Sequence, residues 1–209
     1  MKKRHVVFEE DLAQKLKKGV DTLANAVKTT MGPKGKLVLI QREHNHPTIT
    51  KDGVTVARSI ELSDELENMA VKVLKEAASR TSDDAGDGTT TSTVLAQAIF
   101  NEGLRMKSAG YQVDLLKSGI EKAVKIVIKD LSKNCKKVED DSELKQVALI
   151  SANGEEEITN LIVDAIKATG VDGSVIVEEA RGFDSSLTIV DGYRLERGFL
   201  SPYFVSNKE

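Results

Sequence analysis

Apolar residues recur every three or four positions through Leu12, Leu16, Val20, Leu23 and Val27. That spacing places them on one stripe of a helix, where a strand would scatter them over both faces. Glu9, Glu10 and Asp11 in the first turn and Lys28 near the end complement the helix dipole. Met31-Gly32-Pro33-Lys34-Gly35 then stops the helix, because Pro lacks a donor and Gly permits positive φ. The body that follows uses the same Ala, Val, Leu, Lys and Glu vocabulary, with aromatics at 4% and no Trp.

The short run 37–40 and Thr48-Ile49-Thr50 read as two strands around a polar tip, His44-Asn45-His46-Pro47. A second helix is expected from Ser63 or Asp64, with Glu67 placed for a capping box and a stripe of Leu66, Met69, Ala70, Val73 and Ala77. Gly86 and Gly88 break it, and Thr89-Thr90-Thr91 opens a third helix through Val94, Leu95, Ala98 and Ile99. A fourth is expected over about 114–131, burying Leu115, Ile120, Val124, Val127 and Ile128. The polar stretch 132–141 reads as a linker. Beyond it, helices at about 142–150 and 155–169 precede β-type runs at 175–177 and 187–190, punctuated by Asp172-Gly173 and Asp191-Gly192.

Several classes are excluded early. A net charge of -3 supplies no positive field for a nucleic-acid backbone, so nucleic acid is not an expected partner. Apolar runs fall far short of the roughly 20 residues that span a bilayer, and no membrane association is expected. Cys135 is the one cysteine, which removes disulfide frameworks and cysteine-cluster zinc sites. The acids at 9–11 interrupt any signal-peptide core, pointing to a cytoplasmic chain.

The strongest local signal for chemistry is Gly86-Asp87-Gly88-Thr89-Thr90-Thr91 at a helix start. Small residues let a backbone approach a ligand, free helical N–H groups favour anions, and Asp87 offers a hard oxygen suited to Mg²⁺. A glycine turn with a threonine cap fits the same six residues. Thr30-Met31-Gly32-Pro33 reads as a second hydroxyl-bearing loop or a plain helix stop. Lys51-Asp52-Gly53 reads as a turn, or as a cation and a carboxylate placed to steady phosphates and orient a water. The segment 199–204 carries Phe199, Tyr203 and Phe204 around Pro202, either core or an apolar patch for a partner chain.

In this order, Thr30-Met31-Gly32-Pro33-Lys34-Gly35, Thr48-Ile49-Thr50-Lys51-Asp52-Gly53, 85–91, Ile150-Ser151-Ala152-Asn153 and 197–204 resemble the signature segments of the GroEL-type group I chaperonins. The likeness runs from about residue 8 to 209 and matches the first part of a family member. It implies a multi-domain α and α/β protein. Residues 1–133 would be the N-terminal part of a mainly helical equatorial ATPase domain. Residues 134–190 would be the same part of a small α/β intermediate domain bearing hinges, and 191–209 the beginning of an apical substrate-binding domain.

The resemblance also implies roles. Thr30, Met31, Gly32 and Pro33 would line ATP, with Lys51 near its phosphates and Ser151 approaching from the intermediate domain. Asp87 would bind Mg²⁺, while Gly88, Thr89, Thr90 and Thr91 wrap the phosphates. Asp52 would be the catalytic carboxylate that positions water. Gly192 would be the upper hinge, and Phe199, Tyr203 and Phe204 would hold non-native polypeptide. The implied assembly is a homo-oligomeric double ring with a lid-like co-chaperonin and unfolded client polypeptides. Met31 stands where the family has Leu, Phe199 where it has Tyr, and Lys137 where a hinge Pro is common. Segments needed for the complete site lie beyond residue 209, so the chain is expected to be an inactive fragment by itself. Two other readings compete: a non-hydrolysing peptide-binding module, and a regulator that joins full-length rings.

Overall fold

A computed structural model describes residues 8–41, 46–170, 173–178, 182, 185–190, 192, 198 and 201–204. The chain divides into two compact units, Met1–Asn134 and Cys135–Glu209. The first contains α1 (Glu9–Lys28), the strands β1 (Val38–Ile40) and β2 (Thr48–Thr50), α2 (Gly53–Ser59), α3 (Glu65–Ala85), α4 (Thr89–Ser108) and α5 (Val113–Asn134). The second contains α6 (Asp141–Ser151), α7 (Glu156–Thr169) and a 3-10 turn at Pro202–Phe204. The mainly helical class expected from the sequence is the one observed. His44 and Asn45 of the expected tip lie outside the described residues.

The core of the first unit is one cluster. Val20, Leu23, Ala24 and Val27 of α1 meet Val56 and Ala57 of α2 and Ala70, Val71 and Leu74 of α3. Leu23, Ala24 and Val27 are fully buried, so the stripe that defined the first helix is its inward face. Backbones of α1 and α3 come so close that a Cβ on Gly19 would stand 2.2 Å from the Glu67 carbonyl oxygen. Lys18 Nζ binds Glu67 Oε1 at 2.8 Å beside that approach, and Lys15 pairs with Asp64. β1 and β2 form the expected antiparallel hairpin, with Val38 opposite Thr50 and Ile40 opposite Thr48.

Five expectations are corrected. The inward face of α3 is Ala70, Val71, Leu74 and Ala78, while Met69 and Val73 are 55% and 67% exposed. The real stripe is rotated by one residue, about 100°. Glu67 serves the Lys18 ion pair, and Asp64 alone caps α3 by accepting from the Leu66 and Glu67 amides. The buried positions of α4 are polar, Thr89, Thr93 and Gln97, with Ala96 and Phe100 packing partly buried on the core, whereas Leu95, Ala98 and Ile99 are exposed. Thr93 tolerates burial because its hydroxyl donates to Thr89 O within the same helix at 2.8 Å.

The remaining corrections concern partners. No residue of α5 is buried, and Leu115, Ile120, Val124, Val127 and Ile128 are all exposed. Helical periodicity fixes the face but brings nothing to cover it. The runs 173–178 and 185–190 form no ladder among the described residues, so the expected strands are not paired strands here. A β-prone sequence is a strand only when a neighbour takes its backbone groups.

In the second unit α6 packs on α7, burying Ala148, Val163 and Ala165. Asp140 caps α6 by accepting from the Glu143 amide at 2.8 Å. Among the described residues no helix is long and apolar enough to cross a membrane.

Candidate functional site

The site is assembled from helix ends. α1 stops in the loop carrying Thr30, which is buried with its hydroxyl donating to Val27 O at 2.8 Å. The loop closes on itself as Gly35 N–H donates to Gly32 O and Lys36 N–H to Thr29 O, at 2.9 and 2.8 Å. Met31, Gly32 and Pro33 are exposed on its outside.

α2, which sequence reasoning missed, begins where the Lys51-Asp52-Gly53 turn was expected. Asp52 is its N-cap. Oδ1 accepts from the Val54 amide at 3.1 Å, and Oδ2 accepts from the Thr55 amide at 2.8 Å and hydroxyl at 2.6 Å. Burial is the largest single influence on this carboxyl and pushes its pKa up. Hydrogen bonds from Thr55 and Val54, with the Arg58 charge, outweigh it and hold the group below its ordinary value. Asp52 is therefore a carboxylate with one oxygen engaged twice and the other once. An ionised carboxylate has about four lone-pair sites, so it can still accept from a water.

Two left-handed glycines, Gly86 at φ +73 and Gly88 at φ +86, turn the chain from α3 into α4. Asp87 between them is exposed, and its Oδ1 accepts from the Gly88 amide at 2.6 Å. Gly88 has no side chain to cap α4, so among the described residues no side-chain cap bond is made at this helix start.

These three helix ends meet at Gly53. A Cβ built there would stand 2.1 Å from Thr90 Oγ1, 3.3 Å from Val27 Cγ1 and 3.4 Å from Thr30 Oγ1. Residues far apart in sequence thus bring Thr30, Gly53 and Thr90 around one point, with Asp52 next in chain. Lys51 precedes it and is exposed.

The sequence profile of the TCP-1/cpn60 chaperonin family matches residues 23–209. The chain belongs to the TCP-1/cpn60 chaperonin family. It is similar to chaperonin gp146 of the bacteriophage EL 2 (Pseudomonas aeruginosa), solved in the presence of ATP-BeFx in two crystal forms. Form I gives a TM-score of 0.72 at 33% identity, over 85% of this chain and 32% of that one. Form II gives 0.67 at 33% identity, over 80% and 30%. It is also similar to a group III chaperonin in the open state, TM-score 0.64 at 27% identity, over 76% of this chain and 32% of that one. This chaperonin chain spans about a third of the length of those it matches.

Other expected site residues of the chaperonin chain lie in its second unit. Ser151 is the exposed last residue of α6, followed by Asn153 at φ +55. Gly154 N–H donates to Leu149 O and Asn153 N–H to Ile150 O, so the Ser151 turn is a Schellman ending. Gly192 has φ +122. Tyr203 and Phe204 are 97% and 73% exposed on the 3-10 turn; Phe199 lies outside the described residues.

Proposed function

We propose that this chain is the N-terminal part of an ATP-dependent folding chaperonin subunit, its nucleotide site built at the ends of α1, α2 and α4. The observation that carries the reading is the meeting of Thr30, Gly53 and Thr90 beside an uncapped helix start. Amides of Thr89, Thr90 and Thr91 would receive phosphate oxygens with hydroxyls alongside. Thr30, Met31, Gly32 and Pro33 would line the nucleotide, Gly88 would let its backbone close in, and Lys51 would stand at the phosphates.

The residues suit magnesium bound with a triphosphate. Among the described residues no cluster of three His, Cys, Asp or Glu could cage a metal, but Mg²⁺ commonly takes one or two carboxylates together with phosphates and water. Asp87 is that carboxylate. Magnesium, when bound there, supplies positive charge against the phosphates. Asp52, kept ionised by its own helix start, would orient the attacking water. Ser151 would reach the site from the intermediate domain, and Gly192 would swing the apical segment that presents Phe199, Tyr203 and Phe204 to unfolded clients. A cytoplasmic double ring of identical subunits with a co-chaperonin lid is the assembly this reading requires. The domain limits that go with it are 1–133, 134–190 and 191–209.

Calorimetric titration with MgATP and a steady-state phosphate-release assay on the full-length protein test it. Asp87→Ala should lower magnesium-dependent hydrolysis on the order of a hundredfold. Turnover near the parent value in that variant removes Asp87 from the site. Client capture without any hydrolysis in the parent would instead favour the non-hydrolysing binding module.

A further inference from the structure

One set of contacts between α1 and α4 is polar and directional. Asp21 Oδ1, on α1, accepts from the Gln97 side-chain amide at 2.7 Å and from the Asn101 amide at 3.0 Å, both on α4. The Gln97 amide also reaches Asn25 Oδ1 at 3.2 Å, and Lys17 holds Asp21 Oδ2. Gln97 is only 8% exposed. Asn101 Oδ1 is buried without a hydrogen-bond partner among the described residues. The opposite amide orientation would satisfy nothing better, because it would set that oxygen against the Asp21 carboxylate. An orphan acceptor is thus retained while its amide stays aimed at Asp21.

This pairing makes α1 and α4 antiparallel, and it lies at matched distances from the proposed site. Asp21 is six residues before Val27, about 9 Å of helical rise, and Gln97 is seven beyond Thr90, about 10 Å. Apolar packing is non-directional and tolerates a slip between helices. Two amides converging on one charged oxygen do not. At Gly53 there is no slack to absorb such a slip, since even a methyl group overlaps Thr90.

We propose that Asp21, held by Gln97 and Asn101, is a positioning residue that sets the register of α1 against α4 and so the separation of Thr30 from Thr90. Its consequence for nucleotide binding rests on the function proposed above; the clamp itself does not.

The test uses full-length protein carrying spin labels at Lys28 and Glu102 in a Cys135→Ser background, with MgADP as the binding probe. The parent should give one narrow distance. Asp21→Leu should broaden or shift it and weaken MgADP on the order of tenfold, the scale of a lost hydrogen bond to a charged group. Asp21→Asn keeps an acceptor for both amides and should restore the parent distance and most of the affinity. Val71→Ala, in the α3 core, should lower the melting temperature while moving neither readout. If Asp21→Leu does not fold, Asn101→Leu removes one arm of the clamp together with the orphan oxygen and should broaden the distance without loss of stability. Parent-like distances in the Asp21→Leu and Asn101→Leu variants overturn the proposal. Failure of the parent to bind MgADP sinks the nucleotide reading alone, and the distances still decide the clamp.

Discussion

Gly53 lies so close to Thr90 that a Cβ on the glycine would stand 2.1 Å from the threonine hydroxyl. One residue opens α2 and the other lies in the first turn of α4, so their approach ties two helix starts together beside the end of α1.

Gly53→Ala should therefore destabilise the first unit by about 1–3 kcal/mol through overpacking, read from denaturant midpoints. The cost should shrink in a Thr90→Ala background. A double-mutant cycle should give a coupling of about 1 kcal/mol; additive effects would mean the two residues do not compete for that space.

Asp52 caps α2 and is proposed to orient the attacking water, two roles that substitution can separate. Asp52→Ala removes the α2 cap and should cost about 1 kcal/mol. Asp52→Asn keeps capping ability and should leave stability nearly unchanged while hydrolysis falls. Equal losses of hydrolysis and stability in both variants would reduce Asp52 to a cap.

Acid should expose the same carboxylate. Its folded pKa lies below the ordinary 3.8, so its contribution is fully present above that value and is lost as pH falls through the lower folded value. Asp21 is held low in the same sense: burial raises its pKa most, but bonds from Lys17, Asn101 and Gln97 together outweigh it. Urea midpoints measured from pH 5 downward should fall less steeply in Asp52→Asn than in the parent. Superimposable profiles would contradict the assignment.

Leu23 is fully buried where α1 meets α2 and α3. Leu23→Ala should cost about 2–5 kcal/mol. A loss well under 1 kcal/mol would mean that the stripe does not carry the core.

Changing Tyr203 and Phe204 to Ser should weaken capture of an unfolded client by the full-length protein and leave hydrolysis intact. Both rings are largely exposed, so folding stability should barely change. Unchanged capture would return these rings to an incidental surface.

Much of the scaffold was legible because its signals are local. The α1 stripe, the hairpin, the glycine break before α4 and the Asp64 start of α3 each follow from a few adjacent residues. What escaped depended on partners. α2 has seven residues, too few for periodicity, although Asp52 followed by Val54 and Thr55 is a capping pattern that could have revealed it. Hydropathy chose the wrong face of α4 because Thr93 and Gln97 are satisfied by Thr89 and Asp21, contacts that residue type does not announce. The α3 stripe was misplaced by one position because Met69 and Val73 are as apolar as Val71 and Leu74, and the close approach at Gly19 decides between them. The site motifs were visible as separate loops; their convergence on Gly53 was not.

Hydrogen exchange of the full-length protein with and without MgATP bears most directly on that convergence. Bound nucleotide should slow exchange together at the Thr30 loop, at the start of α2 and at the amides of Thr89, Thr90 and Thr91. Protection confined to other segments, or none at these three helix ends under saturating MgATP, would contradict the account.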